Sequence, residues 1–551
     1  MLTPHTTHLI QSLSCFLVSN GSALYFDPGD TISKVHQRIR IGPVWKRGIS
    51  QPTPLIPKWF AKGVNPGNLG IKRNIFAGNK IKTEVDSYIL SEGAGNRRAL
   101  AEWKKGNCAT AISESCHLHK KKYRDEFKFL EHSDRTEIEP HGQTTTTTDA
   151  LYVLTSCQPF TMSGYTIRSH NILTSLRAEG LSVAAVTRES YPANIGKVPR
   201  TNPTVHEGIS YFHHLPHLPS SLTSKQTREH AGAIIKLSRR LKPAVLHSTT
   251  DWRNGTATRL AARSLGLPWI YEMRGEIENT WLSGFPKESQ RSVMRSDRYL
   301  SLRRIESELA TSADAVIVLS EYQAESMLTR GVASKKIHVL PNSVSERIAA
   351  KAVDKFRSQR ELGLRPGFWI GTVTSVVDYE GLELLVEALY RLLKSGHDIN
   401  LAVVGSGSAL NSLRAKAREL EVEDHCHFPG RVPEERAHEY YHALDLFCLP
   451  RKDTAVTRVV TPLKSLQASA LGIPVMASDL PALREVVPAD HLDLLVKPED
   501  PAAWASAIGS VKSGRIRIDP EKARSFARTR TWEHQAKRLA ALYSSLSVSA
   551  G

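Results

Sequence analysis

From Ala150 onward, short apolar runs alternate with stretches of helical period, the pattern of a parallel sheet whose strands are joined by crossover helices. Two such series are visible. The first predicts strands at 151–154, 183–187, 244–247, 269–272 and 315–319, and closes over 337–342. After its first strand, Ser163-Gly164-Tyr165 reads as a turn, a helix is expected over 166–178 with Gly180 ending it, and Ser320-Glu321 reads as a further helix start. A charged stretch from 345 to about 366 reads as the connection. The second series predicts strands at 369–373, 399–404, 426–428, 444–449, 474–477 and 494–496, followed by an amphipathic helix over 531–546. Each half, at about 180 residues, suits one doubly wound domain. The expected division is 149–345 and 346–548, with the last helix packing back on the first domain. Ligands in such sheets sit beyond the carboxyl ends of the strands, so two facing sheets imply a cleft between domains.

Residues 1–148 differ. Gly, Pro, Lys and Arg are dispersed, periodicity is weak, and Lys120-Lys121-Lys122 precedes a threonine run over 144–148 that reads as a linker. This part reads as a partly disordered extension, a small extra domain or a misassigned start. Residues 9–26 are mildly apolar but interrupted by Ser and Asn with no basic residue before them, at best a poor signal peptide.

The formal net charge of +18 over 551 residues favours an anionic partner, and by itself admits nucleotide, nucleic acid or an acidic lipid surface. Six scattered cysteines without a C-x-x-C suggest neither zinc nor a disulfide framework, and no apolar run is long enough to span a bilayer. The expected compartment is a reducing cytosol.

The run Val460-Thr461-Pro462-Leu463-Lys464-Ser465-Leu466-Gln467, ending in Ala470-Leu471-Gly472, carries the strongest chemical signal. Thr461 suits a helix N-cap, Pro462 the first helical position and Gly472 the residue past the end. The N-terminus of that helix, with Lys464 in its first turn, would favour phosphate, although an ordinary capped core helix has the same punctuation. Arg451 and Lys452 follow a predicted strand and would project into the cleft. In Tyr271-Glu272-Met273-Arg274-Gly275-Glu276, ionisable residues stand at a strand's carboxyl end. Ser163-Gly164 allows close approach of backbone to a ligand, or tight packing. Val403 to Leu410 could open a dinucleotide fingerprint, but it lacks the third glycine and lies mid-domain, so Gly405-Ser406-Gly407 reads as a strand-to-helix turn; His247 reads as a structural residue, and no Asp-x-Asp is present to hold a metal–nucleotide complex.

Taken in order, these segments resemble family 4 glycosyltransferases of the GT-B fold over about residues 150–548. Ser163 to Arg168 looks like the family's first glycine loop, Tyr271 to Gly275 like its "YEvRG" segment, and Ala313 to Ser320 and Leu340 to Ser343 like its "ADaVivlSe" and "iPNgv" segments. Asp378-Tyr379-Glu380-Gly381-Leu382 resembles the "YEGL" loop, Phe428 to Pro433 the "F.GrVp" segment, and Arg451 with Val460 to Val475 the "PR…VTPLK" variant. The resemblance implies an α/β protein of two Rossmann-like domains. It implies transfer of a sugar from a nucleotide diphosphate donor, with retention, to a cell-surface glycan or lipid-linked acceptor, without a metal or other cofactor. Arg274, Arg451 and Lys464 are the implied catalytic residues, and Gly164, Gly381, Thr461, Pro462, Leu463 and Gln467 the implied donor-binding set. Gln467 and Val459 stand where the family places two glutamates, so a catalytically degenerate protein acting as a scaffold or regulatory partner is the competing reading. The basic charge suits docking on an anionic membrane face. Nucleic acid would account for the charge but not for the ordered motifs.

Overall fold

The computed structural model describes residues 98–132, 146–216, 219–346 and 354–549. Residues 9–26, Cys15 and part of the 345–366 connection lie outside them.

The first sheet contains β1 (Thr148–Leu154), β2 (Val183–Thr187), β3 (Thr204–His206), β4 (Ile209–His213), β5 (Pro243–Thr249), β6 (Trp269–Glu272), β7 (Ala315–Val318) and β8 (Ile337–Val339). Their order is β3-β4-β2-β1-β5-β6-β7-β8. The second contains β9 (Trp369–Val373), β10 (Asn400–Val404), β11 (Cys426–Gly430), β12 (Leu446–Leu449), β13 (Val475–Ser478) and β14 (Leu495–Val496), in the order β11-β10-β9-β12-β13-β14. All pairings are parallel except β3 with β4. The central strands are apolar because helices cover both faces; β6, β7, β9, β10 and β12 are buried at every position. Strand order reverses between β1 and β5 in one sheet and between β9 and β12 in the other, which opens a crevice at each carboxyl edge.

Three features go beyond what was expected. The β3–β4 hairpin turns at Glu207-Gly208, both at positive φ, where Glu207 is the unusual residue. It lies in a polar stretch that offered no apolar run. Residues inside the supposed extension fold: helices Cys108–Glu114 and His117–His132 pack on the first domain, with Phe129 and Leu130 in its core. Arg304 donates to the last carbonyls of that second helix, Leu130 O at 3.0 Å and Glu131 O at 2.7 Å. Thr148, the end of the supposed linker, opens β1. The connection carries the helix Lys355–Glu361, tied to the second sheet by Lys355 Nζ to Asp445 Oδ1 at 2.7 Å.

The final helix, Trp532–Ser549, packs against the helix Gly164–Ala178 and β5 of the first domain. The chain crosses back where Val344 N donates to Arg530 O and Trp532 N to Val344 O, each at 3.0 Å. Among the described residues the cysteines form no disulfide, and no helix is long and apolar enough to cross a membrane.

Candidate active site

At the reversal point of the second sheet, the loop after β9 lies against the ends of β10 and β12. A Cβ on Gly405 or Gly407 would fall 1.8 Å from Thr374 O or 2.0 Å from Val376 O, so these glycines serve close loop packing in a strand-to-helix turn. Gly381 ends the short turn Asp378–Glu380 at φ +66, and its Cβ would meet Pro450 O at 2.1 Å. Glycine is required there twice over, by conformation and by space. That contact seats Glu380 beside Arg451, which donates through Nη2 to Glu380 Oε1 at 2.8 Å and through Nε to Oε2 at 3.1 Å. Its Nη1 donates to Val460 O at 2.8 Å. Arg451 is therefore at the expected strand end, but it is buried and its charge is matched. Lys452 pairs with Asp378 at 2.8 Å and Glu383 at 2.5 Å; burial alone would lower its pKa, yet these carboxylates raise it.

The helix after Val460 runs Leu463–Ala470, and no side chain caps it. Thr461 is not its N-cap: Pro462 takes that position with extended backbone, and Thr461 O instead accepts from Asn342 Nδ2 of the first domain at 2.9 Å. Pro462 is thus one position earlier than expected. The Leu463 side chain is core, clustered with Leu340 and Trp532, leaving only its backbone to a ligand. Lys464 and Gln467 are half-buried on one face between buried neighbours. Gln467 Oε1 accepts from the Tyr441 hydroxyl at 3.2 Å. Gly472 ends the helix at φ +79 as expected, with Gly472 N donating to Ser469 O and Ile473 N to Ala468 O, each at 2.9 Å. Val459 is buried, and its carbonyl is 3.5 Å from the Ser320 hydroxyl of the first domain.

Across the cleft, Ser163 caps the helix Gly164–Ala178 in a capping box with Thr166. A Cβ at Gly164 would meet nothing within 4 Å, which excludes tight packing as the reason for glycine. Arg274 is buried rather than presented to the cleft: Nη1 donates to Tyr165 O at 2.8 Å and Ser169 Oγ at 2.7 Å, and Nη2 to Glu272 Oε2 at 2.7 Å. Glu272 also accepts from Arg168 Nε at 2.7 Å and lies 3.4 Å from His247 Nε2. Burial pushes the Glu272 carboxyl up, but Arg274 and Arg168 outweigh it and hold it well below the usual carboxylate range. Arg168 further donates to Leu340 O at 2.8 Å, Pro341 O at 3.0 Å and Asn342 Oδ1 at 3.3 Å. A continuous polar chain therefore runs Glu272, Arg168, Asn342, Thr461, from the first sheet to the start of the Leu463–Ala470 helix. Arg168 and Asn342 stood inside two of the family-like segments, but sequence assigned neither a role of its own, since each acts on residues more than a hundred positions away.

The reversal point of the first sheet holds a polar cavity of about 230 Å³, lined among others by Thr155, Arg188, Glu189, His230, Asp251 and Asn254. Neither ring nitrogen of His230 has a hydrogen-bond partner, and burial pushes its pKa down to about 3. Burial raises the Glu189 carboxyl to about 8, with Glu229 adding to it. Arg188-Glu189 after β2 and Asp251 to Asn254 after β5 stand at strand carboxyl ends, the one signal that could have found them.

Two parallel, doubly wound sheets joined across such a cleft define the GT-B class of glycosyltransferase. Residues 163–343 match the glycosyl transferase 4-like domain and residues 355–530 the glycosyl transferases group 1, and the chain belongs to the family 4 glycosyltransferases. It is similar to D-inositol 3-phosphate glycosyltransferase of Xylanimonas cellulosilytica, 26% identical over 318 residues that span 54% of this chain and 71% of that protein. It is also similar to the lipopolysaccharide core biosynthesis mannosyltransferase LpsB of Rhizobium meliloti, 27% identical over 280 residues, 48% of this chain and 72% of that one. In fold it is similar to Anabaena HepE in complex with UDP, with a TM-score of 0.56, 14% identity, and coverage of 72% of this chain and all of the other.

Proposed function

We propose that the protein transfers a sugar from a nucleotide diphosphate donor to a hydroxyl of a glycan or glycolipid acceptor, with retention at the anomeric carbon. The observation that carries this reading is the start of the Leu463–Ala470 helix, uncapped by any side chain, in the β12-to-β13 connection where Asn342 of the first domain meets Thr461, with Lys464 in its first turn. Backbone N–H groups and the helix dipole favour the donor diphosphate there, and Lys464 neutralises the charge that grows on the departing nucleoside diphosphate. Gln467, one turn along the same face, is assigned to the donor ribose. Arg451 acts on the site through Glu380 and Val460 rather than on the phosphates, and Arg274 positions the Tyr165 end of the facing helix. The acceptor is assigned to the polar cavity at the reversal point of the first sheet, whose carboxyl and amide groups suit a polyhydroxylated molecule. The relatives named for inositol phosphate and for lipopolysaccharide core support that acceptor class. The net charge of +18 supports work at an anionic cytoplasmic membrane face, and no further cofactor enters the scheme.

Purified full-length protein, assayed for nucleoside diphosphate release with a panel of nucleotide sugars, is expected to turn over at least one donor. Lys464→Ala should lower that turnover roughly 10²- to 10³-fold with an unchanged melting temperature; undiminished turnover would sink the site assignment. A second reading, a non-catalytic scaffold on the same fold, is favoured by the matched charge of Arg451 and by Gln467 in place of a carboxylate. Nucleotide binding with no turnover of any donor would select it.

A further inference from the structure

Midway along the helix Gly164–Ala178, His170 converges with His206 and Glu207, each offering one ligand atom within 4.8 Å of the others. His170 comes from the helix and the other two from the β3–β4 turn. Glu207, at φ +45, turns its carboxylate back to within 3.0 Å of His170 Nε2, and the two imidazole rings lie 4.9 Å apart. The turn is held in place from the same helix, since Arg177 lies so close to Gly208 that a Cβ there would be 1.5 Å from its Nη1. The buried His170 ring is oriented by its other nitrogen, Nδ1, which bonds the Tyr211 hydroxyl at 2.8 Å. Metal-binding histidines are usually oriented in this way by a partner on the second nitrogen.

We propose that His170, His206 and Glu207 form a zinc site that clips the β3–β4 hairpin to the helix whose first turn, Gly164 and Tyr165, borders the cleft. Two imidazole nitrogens and one carboxylate oxygen are a donor set for a borderline cation with one position left to water, and are too few oxygens for calcium or magnesium. Ligand atoms on tetrahedral zinc stand about 3.3 Å apart at bond lengths of 2.0–2.2 Å, so the His170–Glu207 pair, at 3.0 Å, needs to open by a few tenths of an ångström, and the widest pair, within 4.8 Å, to close by up to about 1.5 Å. Glu207 is exposed, with its side chain 68% accessible, and can make that adjustment. The ligands are separated in sequence by 36 positions, which hid them from any local spacing pattern.

The test uses untagged full-length protein stripped with chelator and titrated with Zn²⁺ by calorimetry, and with Co²⁺ by visible absorption. One equivalent of Zn²⁺, a raised melting temperature and the d–d bands of a four-coordinate Co²⁺ site are expected. His206→Gln and Glu207→Gln should each weaken Zn²⁺ binding at least tenfold while melting like the stripped wild type, and Tyr211→Phe should weaken it by about 10- to 100-fold. Absence of stoichiometric binding, or binding equally tight in both ligand variants, would overturn the assignment. The readout does not depend on sugar transfer, so it stands or falls separately from the proposed activity.

Discussion

The pairing of Arg451 with Glu380 decides how much positive charge the second domain offers to a diphosphate. A bidentate, buried pair carries no net charge, so in the proposed site Lys464 and the helix start, rather than Arg451, are assigned to the diphosphate. If Gln467 meets the donor ribose as proposed, it is the residue at which donor affinity is tuned. A carboxylate there still accepts from Tyr441 and gains a charge-assisted bond to a ribose hydroxyl, so Gln467→Glu is expected to tighten nucleotide-sugar binding about tenfold in a calorimetric titration. Unchanged affinity would mean that Gln467 does not face the ribose. Glu306 shows a different consequence of burial. It accepts from Trp252 N at 2.9 Å and the Tyr271 hydroxyl at 2.7 Å, and burial raises its pKa to about 8. Because the folded value lies above the unfolded one, its contribution to stability is complete below about pH 4.5 and is lost as pH rises towards 8, at about 1.4 kcal/mol per pH unit. Glu306→Gln, an uncharged isostere of the protonated acid, should flatten that fall in urea unfolding free energy measured across the same window. An identical slope in the variant would refute the assignment.

Among loops and helices, two glycines near the cleft make opposite predictions. Gly381→Ala places a Cβ on the Pro450 carbonyl at positive φ, and should destabilise by about 1–3 kcal/mol in urea while displacing Glu380 and weakening donor binding. Gly164→Ala meets open space, so stability should stay within about 0.5 kcal/mol, and any loss of turnover reports on a ligand's approach to the loop. The parallel strands were legible because a strand covered on both faces must be an apolar run, whatever its neighbours. The β3–β4 hairpin was not legible, because its strands, β3 at the sheet edge and β4 beside it, are half polar and its turn uses Glu207 where Asn or Asp is the usual signal. Thr461 was misassigned for a related reason. Its cap role is chemically sound in isolation, but Asn342 from the other domain engages its carbonyl.

The two domains are joined at several independent places. Glu485 of the second accepts from Glu321 N at 3.1 Å and Tyr322 N at 3.2 Å at a helix start of the first, and Lys287 pairs with Glu499 at 2.6 Å. The last helix adds Tyr543, whose hydroxyl bonds His247 Nδ1 at 2.8 Å and donates to Tyr152 Oη at 2.7 Å. Tyr543→Phe removes both bonds in a closed environment and should cost roughly 1–3 kcal/mol. Because this helix follows the second domain and packs on the first, scanning calorimetry should show one transition moving as a whole; a split into two would mean that the helix does not couple them. The chain's own order of apolar runs, glycines and strand-end residues already specified two doubly wound sheets and the carboxyl edge of each, since those features follow from local burial and backbone conformation. Which cations remain for a ligand was settled only on folding. Arg451 meets Glu380 across 71 positions, and Arg274 meets Ser169 across 105. Charge compensation at such separations depends on which loops the fold brings within 3 Å, and no local pattern encodes that.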